Sequence, residues 1–513
     1  MKAAQRLLEL AAREGVRACF ANPGTSEMHL VAALDTVPEI RPVLCLFEGV
    51  ATGAADGFGR MTQQPALTLL HLGPGLSNGA ANLHNAFRAR TPIVSLIGEH
   101  ATFHRANNPP LASDIASLAG PVSAWLRTAE SAGELLSLGQ EAIEQARRHG
   151  PAALILPADV AWSDEEPVPP RPVPRARQEP DALDNVEDAA RSLGPRTLLL
   201  LGGRFLSARA CALAQRIAEK TGATALIETF PARVRREGEG AALKRLPYLS
   251  EMASGLLASV DTVILAGAAA PVAFFALPGR PSRLAPEHAR MIELASPGAD
   301  PEPALAAIAA SIGGVSLAAP RASTPPEPPR DSNAIDPSAL ARCIAATLPE
   351  DAIVCDESNT SGLYCYDTAA AAPPHDWLTL TGGSIGIGLP LATGAAIACP
   401  GRRVLALEAD GSALFTIQAL WTQAREGLNV TNVILNNGAY AILRLEMMRA
   451  GINERSNAAE ALFDLRRPAI DYCALARGFG VPARRVETPA ALVSALNDCL
   501  AAAGPSLIEV MLP

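Results

Sequence analysis

Nowhere in the 513 residues is there a run of about 18 uncharged apolar side chains, so no segment reads as a membrane-spanning helix. The N-terminus, MKAAQRLLELAAREG, mixes charges into its apolar positions and reads as an amphipathic helix rather than a secretory leader. Basic charge is also in short supply. Lys and Arg number 43 against 52 Asp and Glu, the net charge is −9, and no cationic cluster stands out, which argues against a nucleic-acid partner. The nine cysteines form an odd set without a C-x-x-C pair. Cys19, Cys45, Cys355 and Cys399 sit inside apolar runs and read as buried free thiols of a reducing cytoplasm. No short-period repeat is visible, which excludes a solenoid. The middle third lacks G-x-G-x-x-G; LGGRFLSA offers a glycine pair alone, which argues against FAD and NAD.

What is present is a compact enzyme-like composition, 49% hydrophobic and 19% charged, long enough for three domains. Two stretches rich in proline and charge, 164–182 and 320–338, read as linkers. They divide the chain into units at 1–163, 183–319 and 335–513. In the first, the apolar runs VRACFA, PVLCLF, ALTLLH, PIVSLIG and AALILP alternate with helical patterns such as GVATGAADGFGRM. The second carries TLLLLG, ATALIE, TVILAG and MIELA, and the third AIVCDE, WLTLTGG, VLALEAD, TNVILNN and SLIEVML. Alternation of this kind predicts α/β architecture, three consecutive doubly wound parallel sheets.

The third unit holds a suggestive pair. Asp410 and Asn437 each follow a strand-like run, and those strands are adjacent in the simplest topology. A carboxylate and an amide oxygen, completed by a loop carbonyl and diphosphate oxygens, suit a hard octahedral cation such as Mg2+. Gly411 and Ser412 would open a helix whose free N–H groups favour phosphate. Taken singly, Asp410 reads equally as a helix cap and Asn437 as a turn cap.

In sequence the pair resembles the thiamine diphosphate enzymes with a three-domain chain, in which G-D-G followed by N-N holds Mg2+ and the cofactor's diphosphate. Here the motif is Ala409-Asp410-Gly411, with Asn436-Asn437 after it. The resemblance implies metal ligation by Asp410, Asn437 and the Ala439 carbonyl, and diphosphate contacts from Asn359, Thr360, Gly411, Ser412, Tyr440, Ala441 and Ile442. It makes Gly383 the carbonyl partner of the aminopyrimidine and Ile385 the aliphatic wedge beneath the bent cofactor. In FEGVATGAADGFGRM, Glu48 matches the family's catalytic glutamate, the buried carboxyl required beside the pyrimidine N1′. FANPGTSE resembles the loop that sets a hydroxyl beside the substrate carboxylate, here Thr25, with Pro23 and Gly24 against the cofactor. LLHLGPGLSN matches the block carrying a proton-transferring histidine, here His71, and a cofactor contact, here Asn78.

Two departures bear on the substrate. GAAAPVAFFALPG has no histidine where benzoylformate decarboxylase carries its second, the matching place falling near Ala276, and Glu446 stands where that enzyme presents an aromatic. The H-E-Q and longer flavin-binding middle domain of true acetolactate synthases are absent too. The resemblance therefore implies a flavin-free, acetolactate synthase-like decarboxylase or carboligase whose partner is a small-molecule 2-oxo acid. A benzoylformate-type decarboxylase and an idle cofactor-binding paralogue are the alternatives. It also implies a homodimer or homotetramer with active sites between subunits.

Overall fold

The computed structural model describes residues 2–164, 185–317, 324–329, 332–452 and 456–513; the expected linker at 164–182 lies almost entirely outside them, and that at 320–338 only in part. The chain forms three sheets. Strands β1 (Ala18–Ala21), β2 (Arg41–Leu44), β3 (Ala66–Leu70), β4 (Ile93–Glu99), β5 (Trp125–Thr128) and β6 (Ala152–Pro157) make a parallel sheet in the order β2-β1-β3-β4-β6-β5. Next come β7 (Thr197–Leu201), β8 (Thr224–Ile227), β9 (Arg233–Arg236), β10 (Thr262–Ala266) and β11 (Arg290–Ala295). All but β9 form a four-stranded parallel sheet, β11-β10-β7-β8. The third sheet takes β12 (Ile353–Glu357), β13 (His375–Thr379), β14 (Val404–Ala409), β15 (Val430–Asn436), β16 (Ala483–Val486) and β17 (Ser506–Met511). Its order is β16-β17-β15-β14-β12-β13-β9, parallel except for β9, which runs antiparallel to β13.

The α/β reading of the sequence holds, and each expected apolar run is a strand. The central strands are buried along their length, save the half-buried Ala409 that ends β14, because helices cover both faces. In β3, Leu67 and Leu69 enter one core cluster while Ala66 and Leu70 enter the other. The three unforeseen strands, β5, β9 and β16, are all sheet edges. With sequences WLRT, RVRR and ARRV they carry the charge that edges tolerate, and so give no apolar run. Strand β9 ties the middle segment to the third sheet, where Arg233 pairs with Asp376 at 2.7 Å.

Two helices hold the first and third sheets together. Glu48–Thr62 packs on Gly388–Ala398 with almost no side chain between them. A Cβ on Gly57 would lie 2.0 Å from the Leu391 carbonyl oxygen, and one on Gly394 would lie 1.8 Å from that of Ala54. Arg60, buried on the same helix, pairs with Asp56 at 2.5 Å and donates to the Thr379 carbonyl at 2.7 Å and that of Ala232 at 3.3 Å. One guanidinium thus touches the third sheet and the middle segment, with its charge met by a buried carboxylate.

Beneath Gly388–Ala398 lies a pair of buried carboxyls. Glu357 accepts from the N–H groups of Gly386, Ile387 and Gly388 at 2.6–2.7 Å, and Glu408 is its register partner on β14. Burial pushes Glu357 up to about 7, and burial together with Glu357 raises Glu408 well above the usual carboxylate range.

Two outcomes follow for stability. Gly57→Ala should lower the unfolding free energy by about 1–3 kcal/mol in urea denaturation, since the clash is with backbone. Gly401→Ala, where a Cβ would meet nothing within 4 Å, should leave it unchanged. The folded state keeps carboxyl protons that the unfolded chain releases above its ordinary carboxyl value of 4.5, so stability should fall as pH rises from there through 7. The drop in urea midpoint between about pH 5 and pH 7.5 should shrink in Glu408→Gln, because a carboxyl that keeps its proton in the folded state across that range is removed.

Candidate active site

At the carboxyl ends of the first sheet the structure gathers Glu48, His71 and the 22–27 loop. Glu48 begins its helix and is 6% exposed. Both carboxylate oxygens are held by amides: Asn22 donates to one at 3.2 Å and Asn78 to the other at 3.0 Å. No cation contacts it among the described residues. His71 precedes the helix Leu72–Ala89, and Leu72 takes a left-handed conformation (φ 54°), rare for a branched residue and a sign of local strain.

The His71 Nδ1 lies 3.0 Å from both the Glu27 carboxylate and the Ser26 hydroxyl. Glu27 is 1% exposed and also accepts from the Gly24 N–H at 2.8 Å and from the Ser26 hydroxyl. With Nδ1 facing a carboxylate, the ring proton belongs there and Nε2 is the basic nitrogen. Gly24 is obligatory, since a Cβ there would lie 2.2 Å from the His71 ring. Pro23 and Thr25 are exposed on the same turn, and Ser26 rather than Thr25 supplies the hydroxyl that meets His71. Sequence reasoning passed over Glu27. The signal was there: a glutamate three residues after Gly24 has the spacing of a side chain reaching back to a helix-capping N–H.

The second group lies at the carboxyl ends of β14 and β15, which are adjacent as expected, Ala409 facing Leu435. Asp410 opens the helix Asp410–Thr416 and is 3% exposed. Its oxygens accept from the N–H groups of Gly411 at 2.8 Å and Gly438 at 2.7 Å, and burial raises its pKa. Asn437 accepts from the Ala439 N–H at 3.0 Å and donates to Ser361 at 3.3 Å. Asn359, at φ 48°, donates to Ser412 at 3.1 Å; Thr360 beside it is half-buried. The Tyr440 ring lies against Gly411, where a Cβ would come within 2.3 Å, and Tyr472 donates to the Asp410 carbonyl at 2.7 Å. Ala441 and Ile442 start a helix, Ala441–Arg449, that has no fully buried residue. A buried carboxylate with an amide oxygen and loop backbone, and no guanidinium or ammonium at Asp410 among the described residues, is a donor set of hard oxygens that fits a divalent cation such as Mg2+.

Ahead of the helix Gly388–Ala398 runs the loop 381–386, gripped by residues that sequence reasoning did not single out. Asn85 accepts from the N–H groups of Gly382 at 3.1 Å and Ser384 at 3.2 Å and donates to the Ser384 carbonyl at 2.7 Å. Asn82 bridges the Gly49 and Gly386 carbonyls at 2.8 and 3.1 Å. These contacts set Gly383 (φ 74°) and the half-buried Ile385. They come from a helix whose sequence looks like ordinary small-residue packing, so nothing local marks them.

The structure also resolves the two substrate-side departures. Glu446 is no loose carboxylate: Arg449 holds it at 2.6 Å and the Tyr248 hydroxyl donates to it at 3.2 Å. In the stretch without histidine, Phe274 rather than Ala276 reaches the loop, its ring lying 2.2 Å from where a Gly383 Cβ would be.

Residues 1–116 match the thiamine pyrophosphate enzyme N-terminal TPP binding domain and residues 361–510 the C-terminal TPP binding domain. The chain is 48% identical, over 100% of its length and 99% of the relative, to a Mycobacterium tuberculosis protein provisionally named acetolactate synthase large subunit IlvX. It is 31% identical, over 98% of its length and 97% of the relative, to benzoylformate decarboxylase of Pseudomonas aeruginosa. The solved thiamine diphosphate-dependent 4-hydroxybenzoylformate decarboxylase of Rhodococcus jostii RHA1 superposes with TM-score 0.82 at 25% identity, covering 100% of this chain and 99% of that one. Among the described residues, no helix is long and apolar enough to cross a membrane. With both cofactor-binding halves matched and the likeness to these proteins running end to end, the chain is a member of the thiamine pyrophosphate enzyme family.

Proposed function

We propose that the protein is a thiamine diphosphate- and Mg2+-dependent enzyme that removes CO2 from a 2-oxo acid and passes the remaining acyl carbon to a proton or to a carbonyl acceptor. Three units, 1–163, 183–319 and 335–513, carry this work. The observation that carries the reading is the setting of Glu48, a buried carboxyl on a helix start with both oxygens held by Asn22 and Asn78. A carboxyl so fixed can share a proton with one ring nitrogen and with little else.

The bound cofactor supplies a carbon nucleophile and a sink for the electrons left by CO2. The other roles belong to the chain. Asp410, Asn437 and the Ala439 carbonyl hold Mg2+, and Asn359, Thr360, Gly411, Ser412 and the backbone of Tyr440, Ala441 and Ile442 hold the diphosphate. The Gly383 carbonyl would orient the aminopyrimidine, and Ile385 would press on the cofactor beside it. Pro23, Gly24 and Asn78 line the opposite wall. His71, fixed through Nδ1 by Glu27 and Ser26, delivers or takes a proton at Nε2, and Thr25 offers its hydroxyl to the substrate carboxylate.

In this reading a second copy completes each site, the first-sheet group of one copy facing the third-sheet group of the other. Large apolar side chains beside both groups support this, with Leu46 next to Glu48 and Leu363, Tyr364 and Phe415 near Asn359 and Asp410 all exposed in the single chain.

The test is CO2 release from pyruvate and from benzoylformate by protein reconstituted with thiamine diphosphate and Mg2+. Glu48→Gln should lower the rate by about a hundredfold or more while cofactor affinity, read by calorimetry, changes little. Full rate in Glu48→Gln at saturating cofactor would remove the proton-sharing role.

A further inference from the structure

Strand β17 runs through the third sheet between β15 and β16, and its residues from Ser506 to Val510 are all buried. One of them is a carboxylate. Glu509 is 0% exposed and stands opposite Ile434 on β15 and Arg485 on β16. Burying a carboxylate inside a sheet is costly unless its oxygens find donors, and here the two oxygens are used differently. One accepts from Arg485 Nε at 3.0 Å, a side chain that is 44% exposed. The other accepts from Asn436 Nδ2 at 2.8 Å, on the side of the loop that carries Asn437 and Ala439. The Asp471 carboxylate and the Cys473 thiol come within 4.8 Å of Glu509, close enough to share a cation, but Arg485 already stands there, 3.6 Å from Asp471.

Asn436 passes the constraint on. Its Oδ1 accepts from the Gly438 N–H at 3.1 Å, and its carbonyl accepts from the Leu512 N–H at 2.8 Å. Gly438 shares that N–H with Asp410, at 2.7 Å, and takes the left-handed conformation, φ 62°. The turn so closed sets the directions in which Asn437 and the Ala439 carbonyl face. It holds only while the amide of Asn436 keeps its oxygen toward Gly438. A side-chain amide can turn over with almost no change of shape, exchanging donor for acceptor. A carboxylate only accepts, so Glu509 draws the Asn436 NH2 to itself and leaves the oxygen for Gly438. Glu509→Gln would satisfy its contact with Asn436 in either orientation, and in one of them the Asn436 NH2 would face the Gly438 N–H, donor against donor.

We infer that Glu509 is a positioning residue for the cation: it orients the Asn436 amide, which closes the Gly438 turn, which aims Asn437 and the Ala439 carbonyl. Glu509 acts through Asn436, and Arg485 meets its charge. This rests on the Mg2+ assignment above and deepens it by naming what holds the ligand loop.

The test is calorimetric titration of thiamine diphosphate into the cofactor-free protein, at saturating Mg2+ and in chelator, with urea midpoints measured alongside. Glu509→Gln should weaken the Mg2+-dependent affinity by about tenfold or more. Asn436→Asp should weaken it comparably, because two carboxylates then face each other. The double variant Glu509→Gln/Asn436→Asp should return to within about threefold of the wild type, since a carboxylate at position 436 accepts both from the new amide and from the Gly438 N–H. Unchanged affinity in Glu509→Gln, with or without a lower urea midpoint, would reduce Glu509 to a structural ion pair and overturn the assignment. So would a double variant that folds and binds no better than the single ones. Where Glu509→Gln does not fold, wild-type affinity in Asn436→Asp would overturn it just as well. Wild-type binding indifferent to Mg2+ would instead remove the cation reading on which the assignment rests.

Discussion

The contact between the helices Glu48–Thr62 and Gly388–Ala398 is the constraint on which the rest depends. The backbones meet so closely that glycine is demanded on both sides, Gly57 against Leu391 and Gly394 against Ala54. Each helix starts at a point that matters: one at Glu48, the other at the three N–H groups gathered by Glu357. Fixing the helices against one another therefore fixes where the carboxyl ends of the first and third sheets lie. Asn82, which joins the Gly49 and Gly386 carbonyls, carries that registry to the loop beside the proposed cofactor seat.

Apart from His71 and Asn436, which the Glu27 and Glu509 carboxylates fix, polar groups at the two half-sites are held by neutral partners rather than opposite charges. Asn22 and Asn78 hold Glu48, backbone N–H groups hold Asp410, and Asn85 holds the 381–386 loop. An amide fixes a carboxylate's position without cancelling its charge, so the group stays available to a proton or a cation. The contrast is Arg60 with Asp56, or Arg449 with Glu446 and Glu251, where full pairing gives structure and leaves nothing over.

Much of this was legible in the sequence because central parallel strands must be apolar throughout: TLLLL and VLALEA announce themselves. The edge strands RVRR and ARRV do not: ARRV carries arginine on an exposed side, and the arginines of RVRR are accommodated by Asp376 and the Tyr366 ring, partners far off in the sequence. The adjacency of Asp410 and Asn437 was readable because each ends such a central strand. Glu27, Asn82 and Asn85 were not, because their roles arise from contacts reaching as far as 304 residues along the chain, as from Asn82 to Gly386. Ser26 and Thr25 could not be told apart by composition, and the turn geometry places Ser26 on His71. The same holds for Phe274, one of two adjacent phenylalanines in a stretch otherwise remarkable only for lacking histidine.

The proposed catalytic cycle stands on one claim above the others, that Asp410 and its loop hold the cofactor through a divalent cation. Calorimetric titration of thiamine diphosphate into the cofactor-free protein, with Mg2+ and then with a chelator, tests it directly. Binding should weaken at least about tenfold without the cation, and Asp410→Ala should bind equally weakly with and without it. Unchanged affinity in the chelator, or full Mg2+-dependent binding by Asp410→Ala, would contradict the assignment of the site.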